Sequence, residues 1–221
     1  MVTATTCILE TIMKNILCYG DSNTFGYNPE NGGRYSFNER WPGVLQKSLE
    51  QKYRIIEEGC SHRTTIFDDP VIPGKCGLDF LPICLESHKP LDIVILALGI
   101  NDTKSIFHAS SNDIAKGMEV LVNTVFSYGY GEQFNVPEVI IVAPTKIKAE
   151  ITENPLSSFD ARSVEVSSEL AEKYMSIAKT NGCHFLDASG VSNVSDLDCL
   201  HLTRESHINL GQSLAEIILD I

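Results

Sequence analysis

Five short runs of consecutive apolar or β-branched residues punctuate the chain: Ile16–Tyr19, Tyr53–Glu57, Ile93–Leu98, Val139–Val142 and His184–Leu186. Each has the length of a strand. Their apolar positions are mostly continuous rather than alternating, which suits strands covered on both faces, as in a parallel sheet. Between the runs the chain turns helix-like, at Pro42–Gln51, Asp79–Ser87, Asp113–Tyr128, Ser158–Thr180 and Leu210–Asp220. In the third of these, Asp113 stands as the N-cap candidate, and Ile114, Met118, Leu121, Val122 and Val125 form one apolar face. Alternation of this kind predicts an α/β protein with a doubly wound, five-stranded parallel sheet in flavodoxin-like order. No repeat, low-complexity tract or linker interrupts it, so residues 14–221 read as a single domain. Residues 1–13 read as a disordered N-terminal extension, with Met13 an alternative start of translation.

Composition narrows the classes of function. With 43% hydrophobic residues in 221, the chain can bury a substantial core. Its 17 Lys and Arg against 29 Asp and Glu give a formal charge of −12, which argues against a nucleic-acid binder. The same charge disfavours anionic substrates and favours small neutral ones. No apolar run approaches the ~18 residues of a membrane-spanning helix. The segment Met1–Asn15 lacks the basic start, sustained apolar stretch and small-residue cleavage site of a secretory signal, so a cytoplasmic location is expected. The seven cysteines (Cys7, Cys18, Cys60, Cys76, Cys84, Cys183 and Cys199) are odd in number, scattered and without a CxxC pair, and read as reduced thiols. No zinc-like spacing or HExxH occurs, and no metal is expected. The phosphate loop GxxxxGK[ST], the GxGxxG fingerprint and the GxSxG elbow are absent as well.

In open parallel sheets, ligands bind beyond the carboxyl ends of the strands. There this chain offers Gly20-Asp21-Ser22-Asn23 after the first run, Gly59 after the second and Gly99-Ile100-Asn101-Asp102 after the third. Asp198-Cys199-Leu200-His201 precedes the last helix. A serine hydroxyl attacks a carbonyl only when a base removes its proton, and the resulting oxyanion needs hydrogen-bond donors. These residues supply every part. Ser22 is the candidate nucleophile, at a strand-to-helix turn where Gly20 allows tight packing and a helix N-terminus would favour negative charge. His201 is the candidate base and Asp198 the acid that fixes its tautomer. The N–H groups of Ser22 and Gly59 and the amide of Asn101 are the candidate oxyanion hole.

At these positions the chain resembles the SGNH (GDSL) hydrolases, whose motif blocks supply Ser, Gly, Asn and His in that order. The resemblance extends over Ile16–Tyr27, Arg40–Leu45, Glu57–Pro70 and Leu98–Lys104, where the chain looks like the arylesterase/acyltransferase branch. It implies a three-layer α/β/α sandwich, no metal or organic cofactor, and hydrolysis of short-chain acyl esters through an acyl-enzyme. Some members also transfer the acyl group to alcohols, and self-association into a homo-oligomer is in keeping with the branch. Asn23 stands where the family name has Leu, and Phe25 where the branch often has Trp, differences expected to bear on pocket shape.

Each motif has a plainer alternative. Gly-Asp-Ser is ordinary turn composition, and Asn101-Asp102 suits a helix cap. His207 rivals His201 as the base, without an acid three residues before it, and Asp196 rivals Asp198. Asp21 and Asp102 read as organisers of their loops, Arg63 as a partner of Asp68 or Asp69, and Trp41 as a packing anchor. Cys60 and Cys199 read as bystander thiols. The polar segment 144–159 is expected either to line or cover the acyl pocket or to be a surface connection. A carbohydrate O-deacetylase or thioesterase using the same triad, and a non-catalytic flavodoxin-like binding module, are the rival functions.

Overall fold

In the computed structural model, residues 13–154 and 157–221 are described. The expected extension at 1–13 therefore lies outside the described residues except for Met13. Five strands form the sheet: β1 (Lys14–Gly20), β2 (Tyr53–Gly59), β3 (Ile93–Ala97), β4 (Glu138–Ala143) and β5 (His184–Asp187). All pairings are parallel, in the order β2-β1-β3-β4-β5. Among the described residues six α-helices accompany them: α1 (Ser22–Phe25), α2 (Trp41–Leu49), α3 (Gly77–His88), α4 (Ser111–Ser127), α5 (Ala161–Asn181) and α6 (Arg204–Leu219).

The continuous apolar runs are explained by what covers them. Successive strand residues point to opposite faces, and both faces of the central strands β1, β3 and β4 are dry, while β2 and β5 at the edges are half-buried. Ile16, Cys18, Ile93, Ile95, Ile140 and Val142 pack against Trp41 and Leu45 of α2 and Leu210, Leu214 and Ile218 of α6. Leu17, Tyr19, Val94, Leu96 and Ile141 pack against Leu81 and Leu85 of α3, Met118 and Leu121 of α4, and Leu170 and Tyr174 of α5. The result is the expected α/β/α sandwich. Trp41, 1% exposed, is the anchor at the start of α2.

Helix starts differ from the sequence reading where the first turn is polar. In α4 the N-cap is Ser110, and Asp113 is the third helical residue, closing a capping box with it. Helix α6 begins at Arg204, capped by Thr203, rather than at Leu210, because the apolar periodicity enters only in its second turn. His207 therefore lies inside that helix.

Candidate active site

Parallel pairing brings the ends of β1, β2 and β3 to one edge of the sheet. The nucleophile turn follows β1 and is held by its own atoms. Asp21 Oδ1 accepts the Asn23 N–H at 2.9 Å, and the Gly26 N–H closes onto the Ser22 carbonyl at 2.9 Å. Gly26 has a left-handed backbone, φ 86°, and stops the helix. Helix α1 is thus only four residues long. The helix N-terminus expected to favour negative charge at Ser22 is a single turn, with few aligned peptide units to sum into a dipole. A Cβ at Gly20 would stand 2.0 Å from Thr24 Oγ1, so the glycine does permit the close packing expected of it.

His201 and Asp198 sit on the loop between Val194 and Leu202, which pair across an isolated bridge. His201 Nε2 lies 2.9 Å from Ser22 Oγ, and Nδ1 lies 2.6 Å from Asp198 Oδ2. Asp198 Oδ1 accepts the Leu200 and His201 N–H groups at 3.1 and 3.0 Å. Burial alone would raise the Asp198 carboxyl, but the bonds from the His201 ring, the His201 N–H and the Leu200 N–H outweigh it and hold it below the ordinary range. An ionised Asp198 can only accept, so Nδ1 carries the ring proton and Nε2 is left to accept from Ser22.

The loops after β2 and β3 are tied together beside this pair. Asn101 Nδ2 donates to the Arg63 carbonyl at 3.1 Å, and its second amide proton has no partner among the described residues. Asp102, fully buried, accepts from the Thr65 N–H at 2.9 Å and from the Thr65 hydroxyl, and so organises the Asn101 turn as expected. Burial lifts the Asp102 carboxyl to about 6 against those hydrogen bonds, and likewise lifts Asp21 to about 6. Arg63 departs from its expected pairing. Its guanidinium turns under the end of β1, donating to the Gly20 and Glu58 carbonyls, with Tyr19 4.2 Å from it. Asp69 pairs with Lys104 instead.

A cavity of about 370 Å³ opens onto Ser22, Asn101 and His201. Gly59, expected to offer its N–H there, does not line it. A Cβ at Gly59 would stand 2.2 Å from the Phe25 N, so this glycine lets the α1 turn pack against the end of β2. The chain reaches the cavity two residues beyond, at Ser61 and His62. His62 has φ 70°, and its N–H has no partner among the described residues. Asn23 and Phe25 do not line the cavity either, which corrects their expected influence on its shape. Asn23 Oδ1 instead accepts the Leu202 N–H at 2.9 Å, joining the nucleophile turn to the acid–base loop, and Phe25 stacks under Arg34.

Further residues complete the surroundings. The Tyr27 ring lies 4.2 Å from that of His201, centroid to centroid. From the segment 144–159, Ser158 and Phe159 line the cavity, while Ile147 and Ile151 pack with Ile100 and Cys199. Positions 155 and 156 of that segment lie outside the described residues. Lys148 donates its N–H to the Cys199 carbonyl at 3.1 Å and its ammonium to the Val194 carbonyl at 2.9 Å and to Asp196. Asp196 thus serves that clamp, and its side chain is 93% exposed. His207 is fully buried, accepts the Trp41 N–H, and is pushed down to about 3 by burial and by the His201 charge. Cys199 is buried, and burial raises its thiol. Among the described residues, Asp68, Cys76 and Asp79 bring metal-ligand atoms within 4.8 Å of one another, though both carboxylates are exposed.

Comparison with known proteins agrees with this architecture. The sequence profile of the GDSL-like lipase/acylhydrolase family matches residues 18–207. The native aryl esterase of M. smegmatis is similar at 38% identity and a TM-score of 0.88, over 94% of this chain and 99% of that one. A carbohydrate acetylesterase from Sinorhizobium meliloti is similar at 36% identity and a TM-score of 0.88, over 94% and 99%. A lipolytic G-D-S-L protein from Veillonella parvula shares the fold at 14% identity and a TM-score of 0.69, over 94% and 100%. No curated protein matches.

Proposed function

The chain belongs to the GDSL-like lipase/acylhydrolase family and is a hydrolase of the esterase kind, and from that premise we propose that it is a serine esterase for small, neutral, short-chain acyl esters. The observation that carries the reading is the continuous chain from Asp198 through His201 to Ser22, opening on a cavity. Ser22 Oγ attacks the acyl carbon while its proton passes to His201 Nε2. Asp198 stabilises the imidazolium that forms. The carbonyl oxygen, now an oxyanion, is held by the Ser22 N–H, the second amide proton of Asn101 and, in place of Gly59, the unpaired His62 N–H. His201 returns the proton to the leaving alcohol, and water or a second alcohol then releases the acyl group from Ser22 by the same steps reversed.

No helix among the described residues is long and apolar enough to cross a membrane. A cytoplasmic site of action belongs to the same proposal, supported by the cysteines that are free among the described residues.

The test is hydrolysis of p-nitrophenyl acetate with covalent labelling by an organophosphonate. Ser22→Ala is expected to lose both, with turnover down at least ~10⁴-fold. Turnover at the wild-type rate in that variant sinks the reading. A second reading, deacetylation of carbohydrates, is favoured by one observation, the buried Lys104–Asp69 pair in the cavity wall. Acetylated sugars run beside aryl acetates and acyl-thioesters separate the substrate classes.

A further inference from the structure

The cavity holds one charged pair that the proposed chemistry does not use. Lys104 and Asp69 both line it, with side chains 5% and 3% exposed and Lys104 Nζ 2.9 Å from Asp69 Oδ2. The partners are unequally satisfied. Asp69 Oδ1 accepts the Val71 and Ile72 N–H groups at 2.9 and 3.1 Å while Oδ2 takes Lys104, so its carboxylate is well supplied with donors. Burial pulls that carboxyl up, yet these bonds together leave it below the ordinary range. The Lys104 ammonium has three donors, and Asp69 is its hydrogen-bond partner among the described residues. Two N–H groups remain.

Donors left idle on a buried charge are costly. A buried ion pair also seldom stabilises a fold more than apolar residues of the same size would. Stability is therefore a poor reason for this pair. Because Lys104 lines the cavity, what fills the cavity can meet its spare donors. Ile72 and Phe159, half-buried, supply apolar wall in the same cavity, and in such surroundings a hydrogen bond is stronger than in water.

We propose that Lys104 is a specificity-determining residue, whose spare N–H groups donate to a hydroxyl or ether oxygen on the alcohol portion of the ester. The enzyme then prefers esters of oxygen-rich alcohols, such as polyols, over hydrocarbon esters of the same shape. A short acyl group has no oxygen to spare beyond the reacting carboxyl, so the oxygen that is read belongs to the alcohol. Asp69 cancels the ammonium charge, so a neutral acceptor suffices. This inference rests on the esterase reading above.

The experiment compares kcat/KM for tetrahydropyran-4-yl acetate and cyclohexyl acetate, which differ by one ring oxygen. Wild type, Lys104→Met with Asp69→Asn, and Lys104→Arg are assayed side by side, so the intrinsic reactivities of the esters divide out. The ether-to-hydrocarbon ratio is expected to fall about tenfold in the double variant, chiefly through KM, and to survive largely in Lys104→Arg. An unchanged ratio, or equal losses on both esters, overturns the inference and leaves the pair only the task of holding Val71 and Ile72. Should the double variant not fold, inhibition of the wild-type enzyme decides. Tetrahydropyran-4-ol should inhibit several-fold better than cyclohexanol, and equal inhibition overturns the proposal. Hydrolysis of neither acetate, nor of p-nitrophenyl acetate, would instead remove the esterase reading itself.

Discussion

The two segments that bring the reacting groups together are anchored to different degrees by residues far away in sequence. The nucleophile turn is self-contained: Asp21 caps it, the Ser22 carbonyl closes it and Gly26 ends it, all within six residues. The acid–base loop has internal bonds of its own, to Asp198 from Leu200 and His201 and between Ser195 and both His201 and Cys199, but distant residues also fix where it sits. Lys148 holds it at Val194, Asp196 and Cys199, and Asn23 holds it at Leu202. Cys199, between acid and base, has φ 61°, a left-handed backbone uncommon for a residue with a side chain. A segment held from outside can be misplaced by changes far away in sequence. One held from within is spoiled mainly by changes to itself.

Substitutions can break that contrast or sharpen it. The largest effect after Ser22→Ala is expected at Asp198. Asp198→Asn should lower kcat by ~10²–10⁴-fold, because an amide can donate to Nδ1 and favour the wrong ring tautomer. A loss under tenfold would mean that the backbone bonds alone orient His201. Lys148→Ala should cost about tenfold in kcat with little change in KM, and Lys148→Arg should restore most of it. If Lys148→Ala matches wild type, the loop is as self-sufficient as the nucleophile turn and the contrast fails.

The smallest expected effect is on stability, in the nucleophile turn. Burial lifts Asp21 to about 6, above its value in an unfolded chain. Between about 4 and about 6 the folded protein keeps a proton that the unfolded chain releases, so stability is lost as the pH rises through that window. Above it the penalty is present in full. Asp21→Asn should therefore raise Tm by a few degrees at pH 7.5, on the order of 1–3 kcal/mol, and the gain should vanish near pH 4. A constant gain across that range would show that proton release is not its source.

The same contrast explains what could be read in advance. Ser22, Asn101 and the Asp198–His201 pair are legible because each lies in a short local pattern at a strand end or before a helix. The central strands β1, β3 and β4 are the most legible because both their faces are buried and their apolar runs are unbroken. Gly59 reads as an oxyanion-hole donor because it ends β2 and fits the family's motif order, but the α1 turn packs against it and the cavity begins at Ser61 and His62. The polar first turn of α6 hid the start of that helix. Lys104 and Asp69, 35 residues apart, and Lys148 and Asp196, 48 apart, carry no local signature.

Unbroken apolar runs alternating with helical stretches determine a parallel sheet in the sequence itself, while the strand order and the joint reading of the triad rest on the doubly wound pattern and on the resemblance to the SGNH hydrolases. The tertiary structure decided which atoms meet. It set His201 Nε2 at 2.9 Å from Ser22 across 179 residues, replaced Gly59 by His62 at the cavity, and turned Lys104 and Asp69 into part of its wall. Periodicity fixes which face of an element is buried. Only packing fixes how the ends of different elements face one another, and the chemistry proposed here resides at those ends.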